Sequence, residues 1–117
     1  MSSVTVYPCT LSGKLSVPGD KSISQRVALL ASLASCTSEI SGYLKSEDAQ
    51  NTLKAVKELG ASYHLKSNGN LLITGVNGFF KPPNKPLNLG NSGTGSRLLA
   101  GLLAGSGINA EIIGDES

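Results

Sequence analysis

Two segments of one design, 71 positions apart, constrain this chain more than any other feature of its sequence. Gly19-Asp20-Lys21-Ser22-Ile23-Ser24-Gln25-Arg26 and Gly90-Asn91-Ser92-Gly93-Thr94-Gly95-Ser96-Arg97 each follow a short apolar run and each open an apolar helix. The helices behind them match in character, Val27-Ala-Leu-Leu-Ala-Ser-Leu-Ala against Leu98-Leu-Ala-Gly-Leu-Leu-Ala-Gly. The chain has two arginines, and both fall at this repeated position. A glycine turn into a helix leaves N–H groups free at the helix start, where the dipole favours an anion. Lys21 and Arg26 add two full positive charges at that end. Ser22 and Arg26, four apart, share a helix face. Arginine grips carboxylate or phosphate with two parallel hydrogen bonds, while lysine acts as a point charge. The first segment therefore reads as one wall of a site for a small anionic molecule, and its repetition reads as a repeated unit.

The rest of the chain fits such units. Val4 to Tyr7 and Leu11 to Val17 alternate apolar and polar residues and predict strands, broken at Pro18-Gly19. A helix over roughly 22–35 is apolar on Ile23, Val27, Leu30, Ala31 and Ala34 and again on Leu29 and Leu33, which predicts burial all round. Thr37 to Tyr43 predicts a strand. Ser46-Glu47-Asp48 predicts a capped, acidic helix start, and that helix stops at Gly60. Ala61 to Lys66 and Leu71 to Val76 flank the turn Ser67-Asn68-Gly69-Asn70 as a hairpin. The order is β-α-β-α-β-β over 1–76. Residues 77–86, with three of the five prolines, read as a connector. Residues 87–117 restart the unit with strand, Gly90 turn, helix and a strand Ile108 to Ile113. The class is α/β (α+β), one unit plus the start of a second. Because repeat units need neighbours to cover their apolar faces, the sequence reads as a piece of something longer or as a chain with partners.

Several function classes are excluded. A net charge of +2 is too small for a nucleic-acid partner, and no apolar run approaches a membrane span. The first residues show no basic head with an apolar core, which predicts a cytoplasmic protein without an export signal. Cys9 and Cys36 stand singly and read as buried or idle thiols rather than a disulfide or metal pair. Asp20 reads as a helix cap, Glu47 and Asp48 as dipole partners, Lys81 and Lys85 as solvated loop residues, and His64 as a strand residue without a catalytic partner. Gly19-Asp20-Lys21-Ser22 has the outline of a P-loop but lacks that motif's first glycine.

The two glycine-turn segments resemble the first and second signatures of EPSP synthase, the enolpyruvyl transferase family of the shikimate pathway: Val17 to Arg26 and Leu89 to Leu98. Gly114-Asp115-Glu116-Ser117 resembles the start of a third, cut before its arginine. The resemblance runs through the whole chain, in order, but spans only the front portion of the family. Gln25 stands where histidine is common, and Gly95-Ser96 replaces a more usual Ala-Met pair. The resemblance implies two similar domains of three β-α-β-α-β-β units each, with helices inside and sheets outside. It implies transfer of the enolpyruvyl group of phosphoenolpyruvate to the 5-hydroxyl of shikimate 3-phosphate through a tetrahedral intermediate, with release of phosphate and without metal or organic cofactor. Carried over, Lys21 is the lysine that touches both substrates and steadies the reacting oxygen. Ser22 and Arg26 hold shikimate 3-phosphate, Arg26 on the ring carboxylate. Gly93 is the glycine whose backbone meets phosphoenolpyruvate, in the space where the herbicide glyphosate binds in sensitive members. Asn91, Thr94 and Arg97 shape the loop, Asn91 being the one placed nearest to a binding role. The family's proton-transfer groups and phosphate serines fall outside this sequence, so the partners implied are the two substrates and the remainder of the enzyme, fused or as another chain. Two other readings stand beside this one: the sister transferase acting on UDP-N-acetylglucosamine, disfavoured by the Ser22–Arg26 pair, and a non-catalytic anion-binding scaffold.

Overall fold

A computed structural model describes residues 2–116. Helix α1, Lys21–Leu33, leads to strand β1, Thr37–Ile40, helix α2, Glu47–Glu58, and strands β2, Ser62–Leu65, and β3, Leu71–Thr74. Each helix begins where a short polar side chain takes an otherwise orphaned amide. Asp20 Oδ1 accepts from the Ile23 N–H at 2.7 Å, and Ser46 Oγ accepts from that of Ala49 at 3.4 Å. The α2 start carries Glu47 and Asp48 and its last turn Lys57, the order the macrodipole favours. Leu59 closes α2, and Gly60 at φ +106° turns the chain out of it into β2. The hairpin turns through Gly69, with the Lys66 N–H donating to Asn70 O.

The three strands form an antiparallel sheet in the order β1-β3-β2, with Thr37 opposite Thr74 and Ser62 opposite the same residue on the other side. Period-two alternation puts Leu71 and Ile73 on its inner face. There they meet Ala28 and Ala31 of α1 and Leu53 of α2. A second cluster joins Leu29 of α1, Val56 and Leu59 of α2, and Leu89, Leu99 and Leu103 of the second unit. The sheet thus lies outside the helices, as the family resemblance implies.

Residues 75–78, which run from the end of the predicted strand Leu71 to Val76 into the predicted connector, do more than connect. Val76, Asn77 and Gly78 donate their N–H groups to the carbonyls of Ser32, Ala34 and Leu33 at 2.9 to 3.0 Å. The C-terminal carbonyls of α1, which a helix cannot satisfy internally, are closed by the segment leaving β3. Asn77 and Gly78 reach this geometry with φ of 53° and 76°. Phe80 is then buried in the second cluster while its neighbour Phe79 is exposed. Strand β4, Leu87–Asn88, helix α3, Gly93–Ala104, and strand β5, Ile112–Ile113, follow, β4 and β5 pairing in parallel.

Three expectations are corrected. Val4 to Tyr7 and Leu11 to Val17 form no strand; Val4, Leu11 and Leu15 are more than 80% exposed. Alternation marks the face a strand would bury, but a strand exists only where an edge hydrogen-bonds to it, and β1, β2 and β3 pair only with one another. Helix α1 is not buried all round. Ala28, Leu29 and Ala31 are buried, whereas Ile23, Leu30 and Leu33 are exposed. Part of its apolar surface meets the sheet, α2 and α3, and no described element covers Ile23 and Leu30. The predicted strands Thr37 to Tyr43 and Ile108 to Ile113 are shorter, because pairing ends at Ile40 and begins at Ile112.

At the sheet edge, Glu39 Oε1 accepts from Lys66 Nζ and Asn70 Nδ2, each at 2.8 Å. These bonds, Asn70 first and then Lys66, hold its carboxyl below the ordinary value of 4.5. A lowered carboxyl stabilises the fold above its unfolded value and loses that contribution as the pH falls through its folded one. Wild type is therefore expected to melt slightly above Glu39→Gln at about neutral pH, and the two curves to converge well below pH 4.5, as followed by circular dichroism. A difference that persists in acid would assign it to the residue swap itself.

Candidate functional site

Three helix starts meet at one end of the molecule. The first turn of α1 reaches the beginning of α2 through Lys21 Nζ, which pairs with Asp48 Oδ2 at 2.9 Å. It reaches the beginning of α3 through Gln25, whose Nε2 donates to Ser92 Oγ at 2.7 Å. The same carboxamide donates to Thr52 Oγ1 on α2 at 3.1 Å. Ser92 is the cap of α3 and accepts the Gly95 N–H at 3.0 Å. The two glycine-turn segments, far apart in sequence, are thus joined by one buried amide.

The turns themselves differ in how they are made. Before α3, strand β4 hands over through Gly90 at φ +57°, and Asn88 Oδ1 accepts the Gly90 N–H at 2.8 Å. Before α1 there is no strand; the extended chain arrives at Gly19, whose missing side chain admits the carbonyl oxygen of Gly42. Helix α3 also begins one residue later than a uniform shift of 71 gives. Asp20 caps α1, but Ser92, not Asn91, caps α3. Asn91 is exposed and hydrogen-bonds to nothing among the described residues.

Of the predicted site residues, Lys21 and Gly93 stand at the first positions of α1 and α3. Gly93 has Arg97 beside it: a Cβ there would lie 3.3 Å from Arg97 Nη1. Arg26 is exposed and flanks an apolar groove of about 330 Å³ whose other lining includes Leu30, Leu33, Leu98 and Leu102. Ser22 is half-buried with no hydrogen-bond partner among the described residues. Lys21, by contrast, is not free. Asp48 fixes it in place, an ion pair of small energetic weight because the lysine is half exposed. The start of the predicted third segment lies against the second, the Asp115 N–H donating to Gly90 O at 3.2 Å. Ser117 lies outside the described residues.

Sequence reading missed four residues that build this end. Gln25 and Ser24 sit in an apolar helix pattern, yet both are buried and polar. Ser24 donates to Asp20 O at 2.7 Å and accepts the Leu44 N–H at 3.0 Å, which docks the loop after β1 on α1. Asp48 reads locally as a dipole partner, and Asn88 as a strand residue. Only Asn88 left a signal, the short polar side chain two positions before a glycine that marks an Asx turn. A separate cavity of about 530 Å³, lined by Asn51, Lys54, Glu58, Lys85, Asn88 and Asp115 among others, touches Gly90 but none of Lys21, Ser22, Arg26 and Gly93.

Known proteins share both the sequence and the fold. The family model for EPSP synthase (3-phosphoshikimate 1-carboxyvinyltransferase) matches residues 7–117. The 3-phosphoshikimate 1-carboxyvinyltransferase of Hydrogenovibrio crunogenus is 44% identical over 109 residues, covering 92% of this chain and 24% of that protein. The protein of the same name from Ruthia magnifica is 50% identical over 121 residues, covering all of this chain and 27% of its own length. A solved structure of EPSP synthase from Acinetobacter baumannii superposes with a TM-score of 0.83 at 40% identity, over 90% of this chain and 24% of that one. This chain spans about a quarter of the length of the relatives it matches. Similarity at this level across nearly every residue, with the same fold beneath it, places the convergent helix starts in a known lineage: the chain belongs to the EPSP synthase family.

Proposed function

We propose that this chain carries one wall of the substrate site of a 3-phosphoshikimate 1-carboxyvinyltransferase. The reaction joins the 5-hydroxyl oxygen of shikimate 3-phosphate to C2 of phosphoenolpyruvate, the hydroxyl giving up its proton to a base while C3 takes a proton from an acid. The tetrahedral adduct then loses phosphate from C2 and a proton from C3, which restores the double bond. Lys21 serves as the catalytic cation of this wall, stabilising the phosphate and the reacting oxygen as their charge changes. Ser22 and Arg26 hold shikimate 3-phosphate, Arg26 gripping the ring carboxylate with its planar fork. The Gly93 backbone meets phosphoenolpyruvate, with Asn91 at the edge of the same turn. The single observation that carries this reading is the convergence of the two cationic helix starts through Gln25 and Ser92, with no carboxylate among the described residues paired to Arg26 or Arg97.

In this reading residues 1–76 form the first unit, 77–86 the connector and 87–117 the start of the second. The exposed apolar stripe of α1 supports a need for the remainder of the enzyme, fused or on another chain. No described helix is long and apolar enough to cross a membrane; a cytoplasmic site of action is part of the proposal, since both substrates are small charged metabolites.

A wall is not a whole cleft. A coupled phosphate-release assay on this chain alone is expected to show no turnover above background, and robust turnover would refute that expectation. Shikimate 3-phosphate is expected to bind weakly and specifically. Arg26→Ala should weaken that binding about tenfold or more, the loss of a charge-assisted pair of hydrogen bonds. Calorimetric titration of both proteins checks it, and equal responses would favour a non-catalytic scaffold.

A further inference from the structure

We propose that Gln25 is a positioning residue for this site: its buried carboxamide sets where the Gly93 turn of α3 stands relative to the Lys21 end of α1, and Gly95 is bare so that this carboxamide fits. The inference rests on the functional reading above for its purpose, but not for its geometry.

Gln25 is fully buried, in the first turns of a helix whose other buried residues are small or apolar. Its Nε2 has two protons and uses them on hydroxyls of two different helices, Thr52 Oγ1 at 3.1 Å and Ser92 Oγ at 2.7 Å, with Asp48 O further off at 3.4 Å. Its Oε1 is buried with no partner among the described residues. A carboxamide that spends both donors and leaves its acceptor empty is retained for what it donates to, because an apolar side chain of this size would fill the space without the orphaned oxygen. Each recipient leads to the site. Thr52 Oγ1 donates in turn to Asp48 O at 3.0 Å, and the Asp48 carboxylate holds Lys21. Ser92 caps α3, and the next residue is Gly93.

Gly95 completes the arrangement. A Cβ at that position would lie 2.8 Å from Gln25 Nε2, 2.8 Å from Ser92 Oγ and 3.1 Å from Leu89 Cδ1. A non-bonded carbon does not rest that close to these atoms, so a side chain there forces the carboxamide or the Ser92 hydroxyl to shift. The φ of Gly95 is ordinary, so the requirement is for space and not for a left-handed backbone.

The test uses nuclear magnetic resonance on the whole chain, without ligand. In wild type the Gln25 side-chain amide protons are expected to exchange slowly with solvent and to show proximity to Ser92 and Gly95. Gln25→Leu, which keeps bulk and loses both donors, is expected to shift the Gly93 and Gly95 amide resonances while those of Leu72 and Ile73 in the sheet stay in place. Gly95→Ala should move Gly93 as well, and adding Gln25→Asn, one methylene shorter, should return it toward its wild-type position. Gly93 unmoved in a folded Gln25→Leu protein, or a double variant no nearer to wild type than Gly95→Ala alone, would overturn the proposal. Should Gln25→Leu fail to fold, rapid exchange of the wild-type carboxamide protons would overturn it on its own. Absence of shikimate 3-phosphate binding bears on the functional reading and leaves all these readouts intact.

Discussion

Gly75→Ala is expected to cost at least about 3 kcal/mol, enough to remove most of the stability of a domain of this size. A Cβ on Gly75 would run into the carbonyl oxygen of Ala34, and would lie 2.5 Å from Ala31 O and 2.8 Å from Ala34 N. All three are backbone atoms at the end of α1, so no side chain can rotate away. Relief comes only by moving the 75–78 segment off the helix, and that segment closes three of the helix's last carbonyls. The added methyl thus also breaks those hydrogen bonds. Gly101→Ala is the matched control. It lies inside α3 with nothing within 4 Å of the added carbon, and should stabilise by about 0.5–1 kcal/mol through helix propensity. Urea unfolding of the two variants is expected to move the midpoint in opposite directions. A Gly75→Ala midpoint within experimental error of wild type would show that the strand-to-helix crossing is not packed as described.

Leu53→Ala is expected to cost about 3 kcal/mol. Leu53 is 1% exposed and is the large α2 side chain in the cluster that joins α1, α2 and the sheet. Its neighbours on α1, Ala28 and Ala31, are already small and let the helices approach closely. They have no bulk with which to refill the space, so the cavity persists and its lining loses contacts outright. Leu30→Ala, on the open face of α1 and 66% exposed, should change stability by less than about 0.5 kcal/mol. Thermal unfolding of both separates them. Equal costs would mean that the exposed stripe of α1 is covered in solution by something, such as a second copy, and sedimentation would reveal it.

Much of the site was legible in the chain. Asp20 and Ser46 cap the helices that their positions predict, and Gly60 and Gly69 turn where glycine composition predicts turns, because these choices are made within three or four residues. Lys21 and Gly93 occupy the two helix starts for the same reason. Legibility ends where a residue's role depends on something distant. Gln25 reads as one polar residue in an apolar helix until Ser92, 67 positions away, is brought to it. Gln25 and Gly95, 70 positions apart (95 − 25), prove to be neighbours in space, which neither stretch reveals by itself. Residues 77–86 show no periodicity, yet Asn77 and Gly78 seal the end of a helix 43 and 45 positions earlier, at Ala34 and Leu33.

What the sequence alone determined is local: the helices, their caps, the hairpin, the two cationic glycine turns and, through their motifs, the family. What the tertiary structure decided is which of these elements find partners. Val4 to Tyr7 and Leu11 to Val17 carry strand patterning and remain unpaired, and α1 is apolar over most of its surface but leaves Ile23, Leu30 and Leu33 exposed. Periodicity records the face that a segment offers, a property of neighbouring residues. Burial and pairing require a second surface at contact distance, and that is a property of the whole fold.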